Sequence, residues 1–240
     1  MAQVFAGTSG WAYPSWKPGF YPEKLAQKKF LGFYTTKLNT VEVNFTFRQL
    51  VKETTIQNWL NDSPPHFRFG VKAHQVITHI KRLKATEDFV SRFLATIEPL
   101  AAAGKLGPVL FQLPPNLKAD ATLLKDFLAV LPRTVPAAFE FRHESWFTDA
   151  TWDLLKSTNI ALCVAETETR TTPDMVTGKF AYYRFRKPTY TGDERRAMVE
   201  RIREHIAEGR DVFAYFKHEE TPEGALYAVD LLREVSGTAP

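Results

Sequence analysis

Short apolar segments recur eight times along this 240-residue chain, and almost all of them carry polar or charged residues at or near their ends. The segments are GTSGW (7–11), NTVEVN (39–44), FRFGVKAH (67–74), PVLFQLP (108–114), AFEFRH (138–143), ALCVAE (161–166), AYYRFR (181–186) and VFAYFKH (212–218). Segments with helical periodicity separate them, for example 24–38, 85–105 and 192–209. This order predicts an α/β fold, a single-domain TIM (β/α)8 barrel over residues 1–235, in which all strand carboxyl ends meet at one mouth.

Details of the pattern refine this prediction and leave one alternative fold. Residues 166–179 show little helical periodicity, Pro99 should kink or split the helix over 85–105, and residues 236–240 are expected to form a flexible tail. The alternative is an open doubly wound sheet. That fold usually carries a glycine-rich phosphate loop after its first strand, and GTSGWAYPSW matches neither that loop nor a P-loop.

Composition and the first residues indicate a globular protein of a reducing compartment. The single cysteine, Cys163, excludes an internal disulfide, and its apolar neighbours predict a buried structural thiol. The first residues lack the basic and apolar regions of a signal peptide, and no apolar run approaches the roughly 20 residues of a membrane span. We therefore expect a cytoplasmic protein with no membrane partner. The net charge of +4 gives a mild preference for anionic partners.

Alternation within the strands separates an apolar face from a polar face, and the polar face should point into the barrel near its mouth. The predicted inward set is Glu42, Asn44, Lys72, His74, Gln112, Glu140, Arg142, Arg184, Arg186 and Lys217. Five lysines and arginines against two glutamates give this set a net charge of +3. Such a surplus favours an anionic ligand. The alternative is a buried ion-pair network, with Lys72 between Glu42 and Glu140 and the outer arginines solvated.

Proton transfer at this mouth would fall to two carboxylates and two histidines. Glu42 and Glu140 are candidate general bases, because neighbouring lysine or arginine side chains should keep both carboxyls ionised. His74 and His143 are candidates for proton transfer near neutral pH. A structural hydrogen bond is the alternative role for each histidine.

The cationic side chains of the set predict ligand binding. Lys72 should stabilise negative charge during the reaction, while Arg142, Arg184 and Arg186 should clamp the anion through their paired donors. Three further side chains could contact the ligand, namely Asn44, Gln112 and Lys217. No cofactor is predicted, and the alternative is a divalent metal ion on which Glu42, Glu140, His74 and His143 could converge. The six histidines form neither HxH nor HExxH, and Lys72 and Arg142 would repel a divalent ion at the two glutamates.

The first loop, residues 10–22, is unusually aromatic. It contains five aromatic side chains among three prolines, at a spacing that no helix stripe would have. Trp11 and Tyr13 are predicted to contact the ligand, because rigid rings at a barrel mouth can stack on a sugar or a base. The alternative is a packed lid that closes the end of the barrel.

Several of these segments together resemble a known family, the domain of unknown function 72, also called YecE-like proteins. The matching stretches are GTSGWAYPSWKPGFYP, NTVEVNFTFR, KAHQVITH, LGPVLFQLPP, FEFRHESW, YYRFR and AYFKHEETPEGALYA. The resemblance implies a TIM barrel, but it implies no reaction, because the activity of the family is not established. The family fold is distantly similar to that of barrel endonucleases and sugar isomerases. Those enzymes use several metal-binding His, Asp and Glu residues, and this chain has no obvious full set of them. The family often has an asparagine-rich stretch where this chain has Lys217-His218-Glu219-Glu220.

The leading functional hypothesis is an enzyme that acts on a phosphorylated or otherwise anionic substrate at the barrel mouth. A nucleotide or nucleic acid belongs to this substrate class. Phosphoester hydrolysis and sugar-phosphate isomerisation or epimerisation would both suit the predicted pocket. A second hypothesis is a non-catalytic protein that binds nucleic acid or a phosphometabolite. A third, glycoside hydrolysis, rests on the two carboxylates and the aromatic loop.

Overall fold

The fold is a closed barrel of eight parallel strands, seen in a computed structural model that describes residues 2–169, 171–217 and 219–237. The strands are Val4–Ser9 (β1), Thr40–Val43 (β2), Arg68–Lys72 (β3), Leu106–Gln112 (β4), Ala137–Glu140 (β5), Ala161–Glu166 (β6), Phe180–Phe185 (β7) and Asp211–Phe216 (β8). Each strand pairs with the next one in the chain, and β8 pairs with β1 to close the barrel. The predicted TIM barrel is therefore confirmed, and the open sheet is not formed.

Helices follow most of the strands and form the outer layer. They are Phe30–Tyr34 (α1), Glu53–Asn61 (α2), Glu87–Ala102 (α3), Ala121–Val130 (α4), Asp149–Thr158 (α5), Gly192–Ala207 (α6) and Glu223–Ser236 (α7). Between β6 and β7 the described residues form no helix, as the weak periodicity of that segment predicts. No helix in the described part of the chain combines the length and the apolar character that a membrane crossing requires.

Three local expectations need correction. The helix predicted over 24–38 shortens to α1, because a separate 3-10 turn, Gln27–Lys29, precedes it and the chain leaves the helix at Thr35. Pro99 does not split α3, because the helix runs through it and ends three residues later at Ala102. The residues Ser236 and Gly237 belong to the end of α7 rather than to a tail, and 238–240 lie outside the described residues.

The lower part of the barrel is filled by side chains, so the barrel is a packed core and not a pore. Its interior cluster is mostly apolar and comprises Phe5, Leu110, Ala138, Ala161, Cys163, Ala165, Tyr182, Phe213 and Tyr215. Gly70 lets Tyr215 cross the interior, because a Cβ at that position would lie 2.5 Å from the tyrosine hydroxyl. Cys163 is fully buried, and burial raises the pKa of its thiol well above the ordinary value. The prediction of a buried thiol is confirmed. The charged residues of the inward set lie above this cluster, nearer the mouth of the barrel.

A buried lysine connects α2 to β4 below the site. The Lys105 ammonium donates hydrogen bonds to the Leu60 carbonyl (2.9 Å), the Ser63 carbonyl (2.6 Å) and the Ser63 hydroxyl (2.9 Å). A Lys105→Met variant leaves these acceptors without their charged donor, so it should lose about 2 kcal/mol of unfolding free energy. Urea unfolding measures this loss, with the exposed Lys118→Met as control. Equal stability of the two variants would contradict the structural role of Lys105.

Candidate functional site

A buried guanidinium joins the two carboxylates at the carboxyl end of the barrel. Arg184, on β7, places Nη2 at 2.6 Å from Glu42 Oε1 and Nη1 at 2.5 Å from Glu140 Oε2. All three side chains are at most 2% exposed. The residues come from three different strands, and alternation directs each of them inward. The predicted inward face is therefore correct for Glu42, Glu140 and Arg184, and it forms a buried ion triad.

Neutral side chains satisfy the remaining carboxylate oxygens of the triad. The Ser9 hydroxyl donates to Glu42 Oε1 at 2.8 Å, and the Tyr182 hydroxyl donates to Glu42 Oε2 at 2.6 Å. The Gln112 amide lies 2.9 Å from both oxygens of Glu140. Sequence reasoning missed Ser9 and Tyr182, although both alternate inward on their strands. Their hydrogen bonds fix the triad as one rigid layer.

The electrostatics of the triad disfavour a general base. Burial raises the pKa of each carboxyl, but the charges of Arg184 and Arg186 outweigh it. They hold the pKa of Glu140 at about 2 and the pKa of Glu42 below its ordinary value. A carboxylate with so low a pKa is a weak base, and neither glutamate is accessible to a substrate. The network that the sequence offered as an alternative does form, with Arg184 in the position expected for Lys72.

Arg184 therefore needs reassignment. It was predicted to clamp the ligand, but both of its terminal nitrogens bind glutamates, and its side chain is 1% exposed. Two ion pairs at close distance hold it below the surface of the mouth. Its role is to support the layer that a ligand would rest on.

Lys72 stands beside the triad without joining it. Its ammonium donates to Gln112 Oε1 at 2.8 Å and lies 4.1 Å from the centre of the Phe47 ring. Among the described residues, no carboxylate oxygen lies within 4.0 Å of its Nζ atom. Burial lowers the pKa of Lys72 to about 8, and the charge of Arg184 contributes to this effect. Lys72 is thus a half-buried cation whose charge no neighbouring anion neutralises directly.

Arg186 is the second cation of this kind. Within the described ranges its buried Nε has no hydrogen-bond partner, and no carboxylate there forms an ion pair with its guanidinium. Burial and the nearby Arg184 lower the pKa of Arg186, although the group stays protonated. Arg142 lies closer to an acid, with its Nε 3.8 Å from Glu140 Oε1 and a side chain that is 33% exposed.

The charge surplus at the mouth is smaller than the sequence suggests. Lys217 is 40% exposed and lies 3.4 Å from Glu219, so this acid offsets its charge. The other four cations, set against Glu42 and Glu140, leave a net charge of +2 instead of +3. This residual charge resides mainly on Lys72 and Arg186, because Arg184 is bound to both carboxylates.

The two predicted histidines have local structural contacts. His74 packs against Phe89 of α3, and its Nδ1 accepts the Val76 N–H at 3.2 Å. His143 Nδ1 accepts the Ser145 N–H at 3.2 Å and so caps a short 3-10 turn. Period-2 alternation fails for both residues, because each lies just beyond the end of its strand. We therefore do not retain them as proton carriers.

A different histidine faces the mouth. His79 lies on a π-helical turn, Val76–Ile80, and its ring meets the edge of Phe47 at 4.9 Å. Burial lowers the pKa of His79, and the charges of Lys72 and Arg142 lower it further. The sequence carried no signal for this placement, since the turn follows the strand by several residues and has no strand alternation.

Asn44, Gln112 and the aromatic loop complete the mouth. Asn44 occupies the N-cap position of the turn Phe45–Phe47, and its buried Oδ1 has no hydrogen-bond partner among the residues that the structure describes. Gln112 bridges Lys72 to Glu140, as described above, and is nearly fully buried. Both side chains lie in the layer where the sequence predicted them.

Most of the aromatic loop forms a packed lid. Trp16, Phe20 and Tyr21 are buried, and Tyr21 stacks on Phe30 with ring centres 4.0 Å apart. Trp11 packs edge-on against Trp59 at 5.7 Å. The Tyr13 hydroxyl donates to the Ser9 carbonyl at 2.9 Å. Trp11 and Tyr13 are only half-buried, so these two rings are the ones left at the surface of the loop.

Other features of the molecule lie away from the mouth. In the parts of the chain described above, no three His, Cys, Asp or Glu side chains converge in a way that could hold a metal ion. A cleft of about 660 Å³ opens at the opposite end of the barrel, lined in part by the exposed cations Lys125, Arg133 and Lys179. Because of these cations, the cleft is the alternative to the barrel mouth as a site for an anion.

Two curated proteins are similar in sequence to part of this chain. UPF0759 protein YunF of Bacillus subtilis is 28% identical over 151 residues, which are 60% of this chain and 52% of that protein. UPF0759 protein YecE of Escherichia coli K12 is 29% identical over 145 residues, 60% of this chain and 50% of that protein. The alignments thus span about half the length of these relatives.

A solved structure covers the chain more fully. The crystal structure of a DUF72 family protein from Thermotoga maritima superposes with a TM-score of 0.88 at 25% identity, over 98% of this chain and 99% of that one. The model of the family described as "Protein of unknown function DUF72" matches residues 5–239. The chain with this buried triad and its two flanking cations therefore belongs to the DUF72 family.

Proposed function

We propose that the protein is an enzyme that binds an anionic, phosphate-bearing substrate at the barrel mouth, and that Lys72 and Arg186 contact its phosphate. One observation carries the proposal. Lys72 and Arg186 retain their charge beside a carboxylate pair that Arg184 already neutralises in part. An isolated buried cation is unfavourable unless an anion or a hydrogen-bond acceptor compensates it.

A phosphate group would supply what both cations lack. Its oxygens could accept the buried Nε–H of Arg186, for which the described residues provide no acceptor. An unsatisfied buried donor costs about 1–3 kcal/mol, so a ligand that accepts this hydrogen recovers that amount on binding. A guanidinium also offers paired donors that match phosphate geometry, and an ammonium adds a strong point charge. The rigid triad beneath them would keep both cations in place.

Two other functions, glycoside hydrolysis and non-catalytic nucleic-acid binding, fit the site less well. Glycoside hydrolysis requires two accessible carboxyl groups, but Glu42 and Glu140 are buried and bound to Arg184. Non-catalytic nucleic-acid binding would use the same cations together with Trp11 and Tyr13. A single-stranded oligonucleotide that displaces phosphate from the site would identify nucleic acid as the ligand class.

Calorimetric titration with inorganic phosphate and pyrophosphate tests the proposal. We expect Lys72→Met and Arg186→Gln to weaken binding at least about tenfold each, because each removes a charged contact worth about 1.4 kcal/mol or more. Lys179→Met and Arg133→Gln remove exposed cations at the opposite end of the barrel and should leave the affinity unchanged. Loss of binding in the control variants, with normal binding in the mouth variants, would place the anion site in the opposite cleft and refute the proposal.

A further inference from the structure

We propose that Lys72 is a covalent nucleophile, which forms an imine with a carbonyl carbon of the bound phosphate-bearing molecule. The substrate class is then a phosphorylated aldehyde or ketone, with its phosphate held by Arg186 and, until Lys72 loses its proton, by the Lys72 ammonium, and with its carbonyl group within reach of the same nitrogen. The inference rests on the proposed function, because the phosphate contact positions the carbonyl.

The surroundings of Lys72 differ from those of two structural lysines in the same chain. Lys105 donates to three oxygens, and Lys187 lies 2.8 Å from both Glu166 and Glu194. Both nitrogens are thereby held as ammonium donors. In the described part of the chain, the Lys72 Nζ atom has a single oxygen acceptor, Gln112 Oε1, and it also lies over the face of the Phe47 ring. A nitrogen with one acceptor can lose a proton and turn its lone pair toward a ligand.

The electrostatic environment supports this role. Burial and the neighbouring Arg184 charge lower the pKa of Lys72 to about 8, so about a tenth of the side chain is uncharged at pH 7. An ordinary lysine would be almost fully protonated at that pH. Desolvation and an adjacent cation are the two known ways to activate a lysine amine toward carbonyl groups.

The reaction balances without an oxidant or a reductant. The Lys72 ammonium first releases one proton, and the nitrogen lone pair forms a C–N bond while the carbonyl π electrons move to oxygen. That oxygen and the nitrogen exchange protons to give a neutral carbinolamine. The released proton then returns to the hydroxyl, water leaves, and a protonated imine remains. His79, whose ring packs perpendicular to the same Phe47 ring that Lys72 contacts, would carry this proton, because its lowered pKa favours the neutral imidazole.

Trapping with borohydride tests the inference on the full chain. The probe is pyridoxal 5′-phosphate, which carries both an aldehyde and a phosphate. After reduction, intact mass and peptide mapping should show one stable adduct on Lys72. Excess inorganic phosphate and the Arg186→Gln substitution should each reduce labelling at least about tenfold. Lys179→Met should be labelled like the unaltered protein.

Two further variants keep the test informative. Lys72→Met and Lys72→Arg must both lose the adduct, and Lys72→Arg retains a cation if the methionine variant fails to fold. If phosphate binds by calorimetry but Lys72 is labelled no more than Lys179, the imine inference is wrong while the anion site stands. If pyridoxal without phosphate labels Lys72 equally well and phosphate does not compete, the phosphate contact is wrong, and the inference falls with it.

Discussion

An Arg184→Leu variant is expected to lose about 3–5 kcal/mol of unfolding free energy, the largest effect we expect from any single substitution in this chain. The change leaves two buried carboxylates, Glu42 and Glu140, without the guanidinium that lies within 2.6 Å of each. Neither oxygen pair can reach water, so each glutamate must remain charged at high cost or take up a proton. Equilibrium unfolding in urea measures the difference.

A triple variant distinguishes an electrostatic cause of this stability loss from a loss of packing. In a Glu42→Gln, Glu140→Gln, Arg184→Met triple variant all three charges of the triad are removed together, and most of the stability should return, because a buried triad is often replaceable as a unit. Arg196→Leu, which removes an exposed arginine paired with Asp193 on the same helix, should change stability by no more than about 0.5 kcal/mol. Equal losses in the single and triple variants would contradict the electrostatic explanation.

The second large effect concerns the pH dependence of Lys72 labelling. The folded-state pKa of Lys72 is lowered to about 8, so its amine is mostly charged below that pH and mostly free above it. From pH 7 to pH 10 the free-amine fraction of such a lysine rises about tenfold, whereas for an ordinary lysine it rises on the order of several hundred-fold. The initial rate of imine trapping by pyridoxal 5′-phosphate should therefore rise only about tenfold over this range and level off above pH 8.

Other groups near Lys72 do not titrate across this range. The groups that act on its charge are Arg184, Arg186, Glu42 and Glu140, and His79 is neutral above its lowered pKa. Sulfate keeps a constant charge between pH 7 and pH 10, so its affinity should fall as Lys72 loses its proton. Labelling that keeps rising to pH 10, together with constant sulfate affinity, would contradict the lowered pKa.

Sequence alternation predicted the positions of these residues well but not their partners. Glu42, Lys72, Glu140 and Arg184 point inward because period-2 alternation fixes the face of a strand residue. The pairing of Arg184 with both glutamates depends on which strands lie across the barrel, and the contact with Glu42 spans 142 residues of sequence. Alternation does not show which residues far apart in the sequence are paired, so Lys72 was an equally reasonable partner for the two glutamates.

Residues beyond the strand ends were predicted less well. His74 and His143 follow their strands and turn into local hydrogen bonds, while His79 reaches the mouth from a π-helical turn. Loop geometry fixes these placements, and no repeating pattern encodes it. The aromatic loop shows the same limit, since its composition predicts both stacking on a ligand and the packing that Trp16 and Tyr21 adopt.

The location of a bound tetrahedral anion tests the central claim most directly. Crystals of the full chain soaked in tungstate would reveal the ion by its anomalous scattering, independently of any assumed substrate. We predict a peak within hydrogen-bond distance of Lys72 Nζ and the Arg186 guanidinium, which disappears in Arg186→Gln crystals. A peak confined to the cleft lined by Lys125, Arg133 and Lys179, with none at the mouth, would contradict the account.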